Sequence, residues 1–328
     1  MKPVMYTKEI VTTMIAAGKN LLLAGDEKTL QGLPPGSWIA GTIPYFMGEQ
    51  GGVFSQDQIY VTELPPYVLK TEVRVYSELD IHQVYNDAPQ HGFSVIIIPA
   101  ICPTHFTFAL NAPGFPGFAT RPLIGWIAGT ALNEQKVKPK VFNGTTGEAL
   151  ENGAVVMHVE LPESKLVEIN IVNIFEQGDG DTITFPNDGF HATDVLINGQ
   201  PRNFADYLRE AAVDTRLPLV ADLYGAMINT SFHSVSFAKR QVNFYAPVFA
   251  GFRYKLAKPV GDYVSHFLDK VPEGVGENLI FACNCILNYL YAGLEGRQTA
   301  HFNGPITFGE IAYQLLNQTM AYLTIEDV

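Results

Sequence analysis

Short stretches rich in Val, Ile, Phe and Tyr, cut off by Gly, Pro, Asn or Asp, run through the whole chain, and this punctuation constrains the fold more than any single motif. The pattern predicts strands at 37–43, 58–64, 72–76, 93–98, 123–129, 138–142, 154–160, 165–175, 182–185 and 194–197. Later strands are expected at 231–237, 241–245, 252–256, 279–285 and 320–325, with 21–24 as a short buried one. Asn143-Gly144 and Asn198-Gly199 can both take the positive φ angles of a type I′ turn, which predicts two hairpins. Helical spacing is rarer and falls at 8–17, 104–110, 203–212 with Asn203 as N-cap, 262–270, 286–294 and 310–314. Strands in runs with helices inserted between them predict an α+β fold of mixed and antiparallel sheets flanked by helices.

With 328 residues, 47% of them apolar and 16% charged, the chain can bury roughly three quarters of its unfolded surface and is not a disordered one. Its net charge of −12 disfavours nucleic acid and an anionic membrane surface as partners, because both require a basic face. Three cysteines cannot supply a disulfide framework, which points to a reducing compartment. Thr12, Thr13, Lys19 and Asn20 interrupt the apolar N-terminal stretch, and Val95–Cys102 is far too short to span a bilayer. A cytoplasmic protein is expected.

Trp38-Ile39-Ala40-Gly41-Thr42 returns unchanged at 126–130, and these hold the only two tryptophans. A looser echo joins Gly41…Gly48-Glu49 to Gly304…Gly309-Glu310, each followed by a β-like segment. Both suggest an internal duplication into two related halves, the repeated unit being strand, Gly-Glu turn and strand.

The usual catalytic signatures are missing: the sequence has no GxxxxGK[ST], no GxGxxG behind a strand, no HExxH and no GxSxG. None of the eight histidines pairs with another at a metal-ligand spacing. Cys102-Pro103-Thr104-His105 puts a thiol near an imidazole, but packing is the plainer role for a free cysteine with no orienting acid. The same holds for Cys283-Asn284-Cys285, whose two thiols share a strand face. Gly178-Asp179-Gly180-Asp181 lacks the ligand series of a calcium loop and is expected to be a hairpin loop. Glu310, on a tight Gly309 turn between apolar residues, could accept hydrogen bonds from a ligand ammonium group or cap a helix start. Arg297 could hold a ligand carboxylate bidentately, or be an ordinary solvated arginine.

Taken in order, several segments resemble the FIST sensory-domain family. Phe281-Ala282-Cys283-Asn284-Cys285, Gly304–Ile311 and Leu316-Asn317-Gln318-Thr319 are similar to its C-terminal half. Val141–Gly144, Gly153–Val156, Asp181–Thr184 and Val195–Pro201 followed by Phe204–Leu208 run in the order of its N-terminal half. Phe244–Val248 with Gly251 resembles the start of the second half. Ile286-Leu287-Asn288 stands where the family commonly has an arginine. The resemblance implies a FIST N-terminal-like region at 1–225, a C-terminal-like region at 226–328, and a sensor of small molecules such as amino acids. Because FIST-like sequence fills the chain, it also implies an output through a separate signalling protein rather than an attached transmitter.

The expected function is therefore small-molecule sensing rather than catalysis, with Glu310, Gly309, Asn317, Thr319, Cys283 and Arg297 as candidate ligand contacts. No metal ligand set is expected, and no cofactor is assigned. The rival readings are a haem-binding gas sensor, as in some relatives of that family, a cysteine-dependent enzyme using Cys102 or Cys283, and a scaffold that binds protein alone.

Overall fold

The computed structural model describes residues 4–134, 136–223, 225–271, 275–300 and 302–328. It has the expected α+β class and divides into two compact units. The first comprises 1–172, 271–315 and 320–328, and the second 173–270 with 316–319. The sequence boundary drawn at 225/226 falls inside the second unit.

The first unit is built from three six-stranded sheets with one plan. Strands β1 (Met5–Tyr6), β2 (Leu21–Gly25), β3 (Trp38–Thr42), β4 (Tyr45–Gly48), β5 (Gly51–Phe54), β6 (Ile59–Glu63) and β7 (Lys70–Tyr76) come first. They are followed by β8 (Gly92–Pro99), β9 (Leu123–Ala128), β10 (Val141–Asn143), β11 (Glu148–Leu150), β12 (Ala154–Glu160) and β13 (Lys165–Val172). The second unit holds β14 (Ile183–Thr184), β15 (Gly189–Ala192), β16 (Asp194–Ile197), β17 (Gln200–Asn203), β18 (Leu219–Leu223), β19 (Ala226–Thr230), β20 (Phe232–Ser236), β21 (Gln241–Val248) and β22 (Tyr254–Leu256). The chain then returns to the first with β23 (Leu279–Cys285), β24 (Gly304–Thr307), β25 (Glu310–Ala312), β26 (Gln314–Leu316, whose last residue belongs to the second unit) and β27 (Met320–Asp327). The helices are α1 (Lys8–Ala16), α2 (Glu27–Leu30), α3 (Pro103–Asn111), α4 (Phe204–Glu210), α5 (Tyr263–Lys270) and α6 (Ile286–Tyr291).

The three sheets run β1-β6-β2-β3-β10-β11, β7-β12-β8-β9-β25-β26 and β13-β27-β23-β24-β4-β5. Each has a parallel pair at its centre, β2 with β3, β8 with β9, or β23 with β24, and the chain between the two strands forms α2, α3 or α6. After each pair the chain leaves to add a hairpin to another sheet, then returns antiparallel beside the first strand of its own pair. The sheets are therefore interlocked in a cycle, and the second unit is inserted in one connection of it, between β13 and β23.

The cross-sheet pairs Val141 with Gly41, Glu310 with Trp126 and Phe46 with Pro305 define equivalent positions in this cycle. Trp126 is thus equivalent to Gly41, not to Trp38, so the repeated pentapeptide lies out of register with the structural repeat. The looser echo also lies on equivalent strands, β3–β4 and β24–β25, but is likewise out of register, since Glu310 is equivalent to Phe46 and not to Glu49.

Alternation sets the packing of these sheets. Leu21, Leu23, Trp38, Ala40, Ile59 and Val61 face α1, where Val11 and Ile15 cover them. On the other face, Gly41 leaves room for Ile97 and Trp126, since a Cβ there would lie 2.5 Å from Ile97 Cγ2 and 3.0 Å from Trp126 Nε1. Gly304 in β24 passes so close to β23 that a Cβ would come within 1.9 Å of the Ala282 carbonyl oxygen. Gly304→Ala should therefore force these strands apart and cost about 1–3 kcal/mol, read as a lower urea midpoint, and an unchanged midpoint would contradict the close approach.

The second unit has its own aromatic core, in which Phe185 makes edge contacts with Phe204, Phe244 and Tyr254. Asn203 caps α4 as expected, accepting from Asp206 N at 3.1 Å. Asn198 and Gly199 take φ of 49° and 81° in the two-residue turn between β16 and β17. At 143–144 the hairpin forms differently: Asn143 ends β10 and its Oδ1 accepts from Thr145 N at 3.0 Å, giving a longer turn to β11. The helix expected at 310–314 is instead strand β25, because pairing with β9 satisfies its backbone and overrides local propensity.

Candidate functional site

The two strands of a parallel pair end side by side, and their carboxyl ends are where open sheets of this kind leave a crevice. At the ends of β2 and β3 there is a cleft with about 360 Å³ of space, entirely within the first unit. Thr42, Ile43, Pro44 and Gly129 are its buried lining, and Asp26, Glu27, Lys28, Gln56, Thr130, Glu134 and Lys138 are its polar lining.

Asp26 directly follows β2 and caps α2, one carboxylate oxygen accepting from Lys28 N at 3.1 Å. Its other oxygen accepts from Gln56 Nε2 at 2.9 Å, and the same amide reaches Glu134 Oε1 at 3.3 Å. Glu27 pairs with Lys140 at 2.5 Å, Lys28 with Asp57 at 3.1 Å and Lys138 with Glu151 at 3.0 Å. The cleft thus brings together two carboxylates sharing one neutral amide, with lysines at its rim.

A departure from the three-fold plan opens this cleft. Thr42 N donates to Lys140 O at 2.9 Å, and equivalently Ile127 N donates to Gly309 O at 2.8 Å. Gly129 N donates to Thr42 O, and equivalently Phe308 N donates to Ile127 O, which makes Gly129 equivalent to Phe308. Phe308 and Gly309 are adjacent, whereas residues 130–139 intervene between Gly129 and Lys140. That extra loop carries Thr130, Glu134, Val137 and Lys138 into the cleft wall.

Of the residues expected from sequence, the structure brings Glu310, Gly309 and Cys283 together in the first unit. Glu310 is wholly buried on β25, at a position where the equivalent residues are Phe46 and Val141. Thr307 Oγ1 lies 3.4 Å from Glu310 Oε1 and also reaches Gly309 O at 3.1 Å. Cys283 Sγ donates to Gly125 O at 3.4 Å. Burial, then the Glu310 carboxylate and Cys285, hold the Cys283 thiol well above its ordinary pKa. Asn317 and Thr319 are buried in the 316–319 segment of the second unit, where Asn317 O accepts from Asn229 Nδ2 at 3.1 Å. Arg297 is exposed, with Nη1 donating to Ala292 O at 3.2 Å.

Cys102 caps α3, its Sγ donating to Pro99 O at 3.1 Å and accepting from His105 N at 3.4 Å. The His105 ring is turned to the backbone instead, with Nδ1 accepting from Ile101 N at 3.1 Å. Burial raises the Cys102 thiol pKa and lowers that of His105 to about 4, the reverse of an activated pair. Among the described residues, no group of three or more His, Cys, Asp or Glu is placed to hold a metal ion.

A second buried polar chain crosses the β7-β12-β8 sheet. Tyr76 Oη donates to Asp87 Oδ2 at 2.9 Å, so the His158 Nε2–H donates to Tyr76 Oη at 2.9 Å. His158 Nδ1 is then left to accept from Ser94 Oγ at 2.7 Å. Burial, followed by Arg74, lowers the His158 pKa to about 4 and keeps the ring neutral. Ser94 is 1% exposed, which makes this chain internal scaffolding rather than a reaction centre.

Asp26, Gln56 and Glu134 were not singled out from sequence. One local signal does point to Asp26, an acid placed immediately after the apolar strand Leu21–Gly25. Gln56 and Glu134 carry no signal of their own: Gln56 reaches Asp26 because β6 returns beside β2, with Ile59 opposite Gly25, and Glu134 because β10 is added beside β3.

The model of a family of unknown function, DUF6976, matches residues 6–326, and the chain belongs to that family. No curated protein matches it.

Proposed function

We propose that this member of the DUF6976 family is a cytoplasmic sensory protein that binds a small polar molecule bearing an ammonium group, an amino acid being the class that fits best. The observation that carries this reading is the cleft at the ends of β2 and β3, where Asp26 and Glu134 share the Gln56 amide and lysines stand at the rim. An ammonium group can donate charge-assisted hydrogen bonds to the two carboxylates, while Lys28 and Lys138 suit the carboxylate of the same molecule. The sensory role is the one implied by the resemblance to FIST sequences, and its output passes to a separate signalling protein. Among the described residues no helix is long and apolar enough to cross a membrane, which is compatible with the proposed compartment.

A thermal-shift screen against amino acids, amines and small carboxylic acids tests the reading. A ligand at about a hundred times its Kd adds roughly 2.7 kcal/mol, a shift of several degrees for a chain of this size. The shift should vanish in Glu134→Gln and persist in Glu310→Gln. The opposite result would move binding to the buried Glu310 cluster, and silence across the screen would overturn the proposal.

A further inference from the structure

The three interlocked sheets end in three equivalent edge strands, and two of these are protected. β1 has only two residues. β7 carries an ion network in which Glu72 meets Arg74 at 2.6 Å and Lys70 at 3.5 Å, and Arg74 meets Asp87 at 2.8 Å. Short or charged edges are how sheets avoid pairing with other chains. β13 is long and less charged, with only Lys165, which pairs with Asp327 of β27 at 2.5 Å, and Glu168 as charges. It pairs with β27 across eight residues, and among the described residues no strand lies on its other side. Its sequence is Lys165-Leu166-Val167-Glu168-Ile169-Asn170-Ile171-Val172, with Leu166 49% and Ile171 42% exposed.

We propose that β13 pairs antiparallel with β13 of a second copy of this chain, about a two-fold axis through Ile169. The register follows from symmetry. A two-fold axis perpendicular to a sheet keeps each residue on its own face, so only residues of the same parity can be opposite one another. Centring on Glu168 sets carboxylate against carboxylate, centring on Val167 sets Lys165 against Ile169, and centring on Asn170 sets Glu168 against Val172. Centring on Ile169 instead pairs Val167 with Ile171 twice and Glu168 with Asn170 twice, leaving no like charges opposed. The odd-numbered face is also the apolar one, because Val167, Ile169 and Ile171 are opposite the buried Ile325, Leu323 and Ala321 of β27. One strand edge is a small interface, so the dimer belongs to the weak, concentration-dependent class.

Sedimentation velocity of the full chain over a dilution series tests this. The wild type should shift from 36.1 kDa towards twice that mass with rising concentration. Ile171→Lys should raise the dissociation constant about tenfold or more, because the introduced charge faces Val167 of the partner twice. Combining it with Val167→Glu should recover association, since in this register alone opposite charges then meet across the axis. Thermal unfolding of each variant confirms that the monomer is folded. A wild type monomeric up to about 100 µM overturns the proposal. So does a dimer indifferent to Ile171→Lys, or a folded double variant that fails to recover.

Discussion

Lowering the pH from 7 to 4 should remove about 6 kcal/mol of stability from the first unit, a large share of the roughly 5–15 kcal/mol a typical domain possesses. Two histidines carry this effect. His105 and His158 are 5% and 4% exposed, and burial lowers both pKa values to about 4 from the usual 6.5. The unfolded chain therefore binds these protons first. Stability is full above about pH 6.5 and falls as pH drops through the window to 4, by roughly 1.4 kcal/mol per unit for each residue. Geometry gives the same sign: protonating His158 at Nδ1 removes the acceptor of Ser94, and protonating His105 at Nδ1 opposes the Ile101 N–H. Urea melts followed by tryptophan fluorescence report this unit, because Trp38 and Trp126 both lie in it. His105→Phe should reduce the slope by about half. A urea midpoint that stays level between pH 6.5 and 4.5 would sink the assignment of both rings as neutral.

Trp126→Ala should cost about 3–5 kcal/mol, the range for deleting a fully buried large aromatic. Trp126 is 1% exposed, stacks on Phe281 with centroids 5.4 Å apart, and occupies space left free by the missing side chain of Gly41. Trp38 is equally buried but differs in one bond, its Nε1–H donating to Pro34 O at 2.9 Å. Among the described residues the Trp126 Nε1 has no acceptor. Trp38→Phe should therefore be more destabilising than Trp126→Phe by about 1 kcal/mol, the net worth of the lost hydrogen bond. The comparison is made with urea melts of the two variants, each followed through the remaining tryptophan. A larger penalty for Trp126→Phe would mean that its indole makes a bond of greater worth than the one to Pro34.

Where the local chain chemistry was strong, the sequence was legible. Leu279–Cys285 and Asp194–Ile197 are strands over the expected residues, because an apolar run and an alternating one were each closed by turn or helix-start residues. Asn203 and Asn198-Gly199 act as a cap and a turn because those roles need only neighbouring backbone. The short hairpin strands β4, β5, β25 and β26 were not legible. They have three or four residues each, and each hairpin is added to a strand far away in sequence, β4 to β24 and β25 to β9. The Trp-Ile-Ala-Gly-Thr identity suggested repetition, yet the structural repeat is three-fold in topology and sets Trp126 opposite Glu310 as Gly41 is set opposite Val141.

The candidate site divides in the same way. Sequence alone determined an acidic α+β chain with a turn-punctuated strand pattern and an isolated carboxylate, Glu310, among apolar neighbours. These depend on composition and on interactions within a few residues. The tertiary structure alone decided that Glu310 is buried and that Asp26, Gln56 and Glu134 meet. It also decided that the ten residues after Gly129 open a cleft where the equivalent Phe308-Gly309 junction is tight. The physical reason is that β6 returns beside β2 and the β10–β11 hairpin is added to a sheet other than the one it leaves, so the site joins residues 30 and 78 positions apart, which no local pattern encodes.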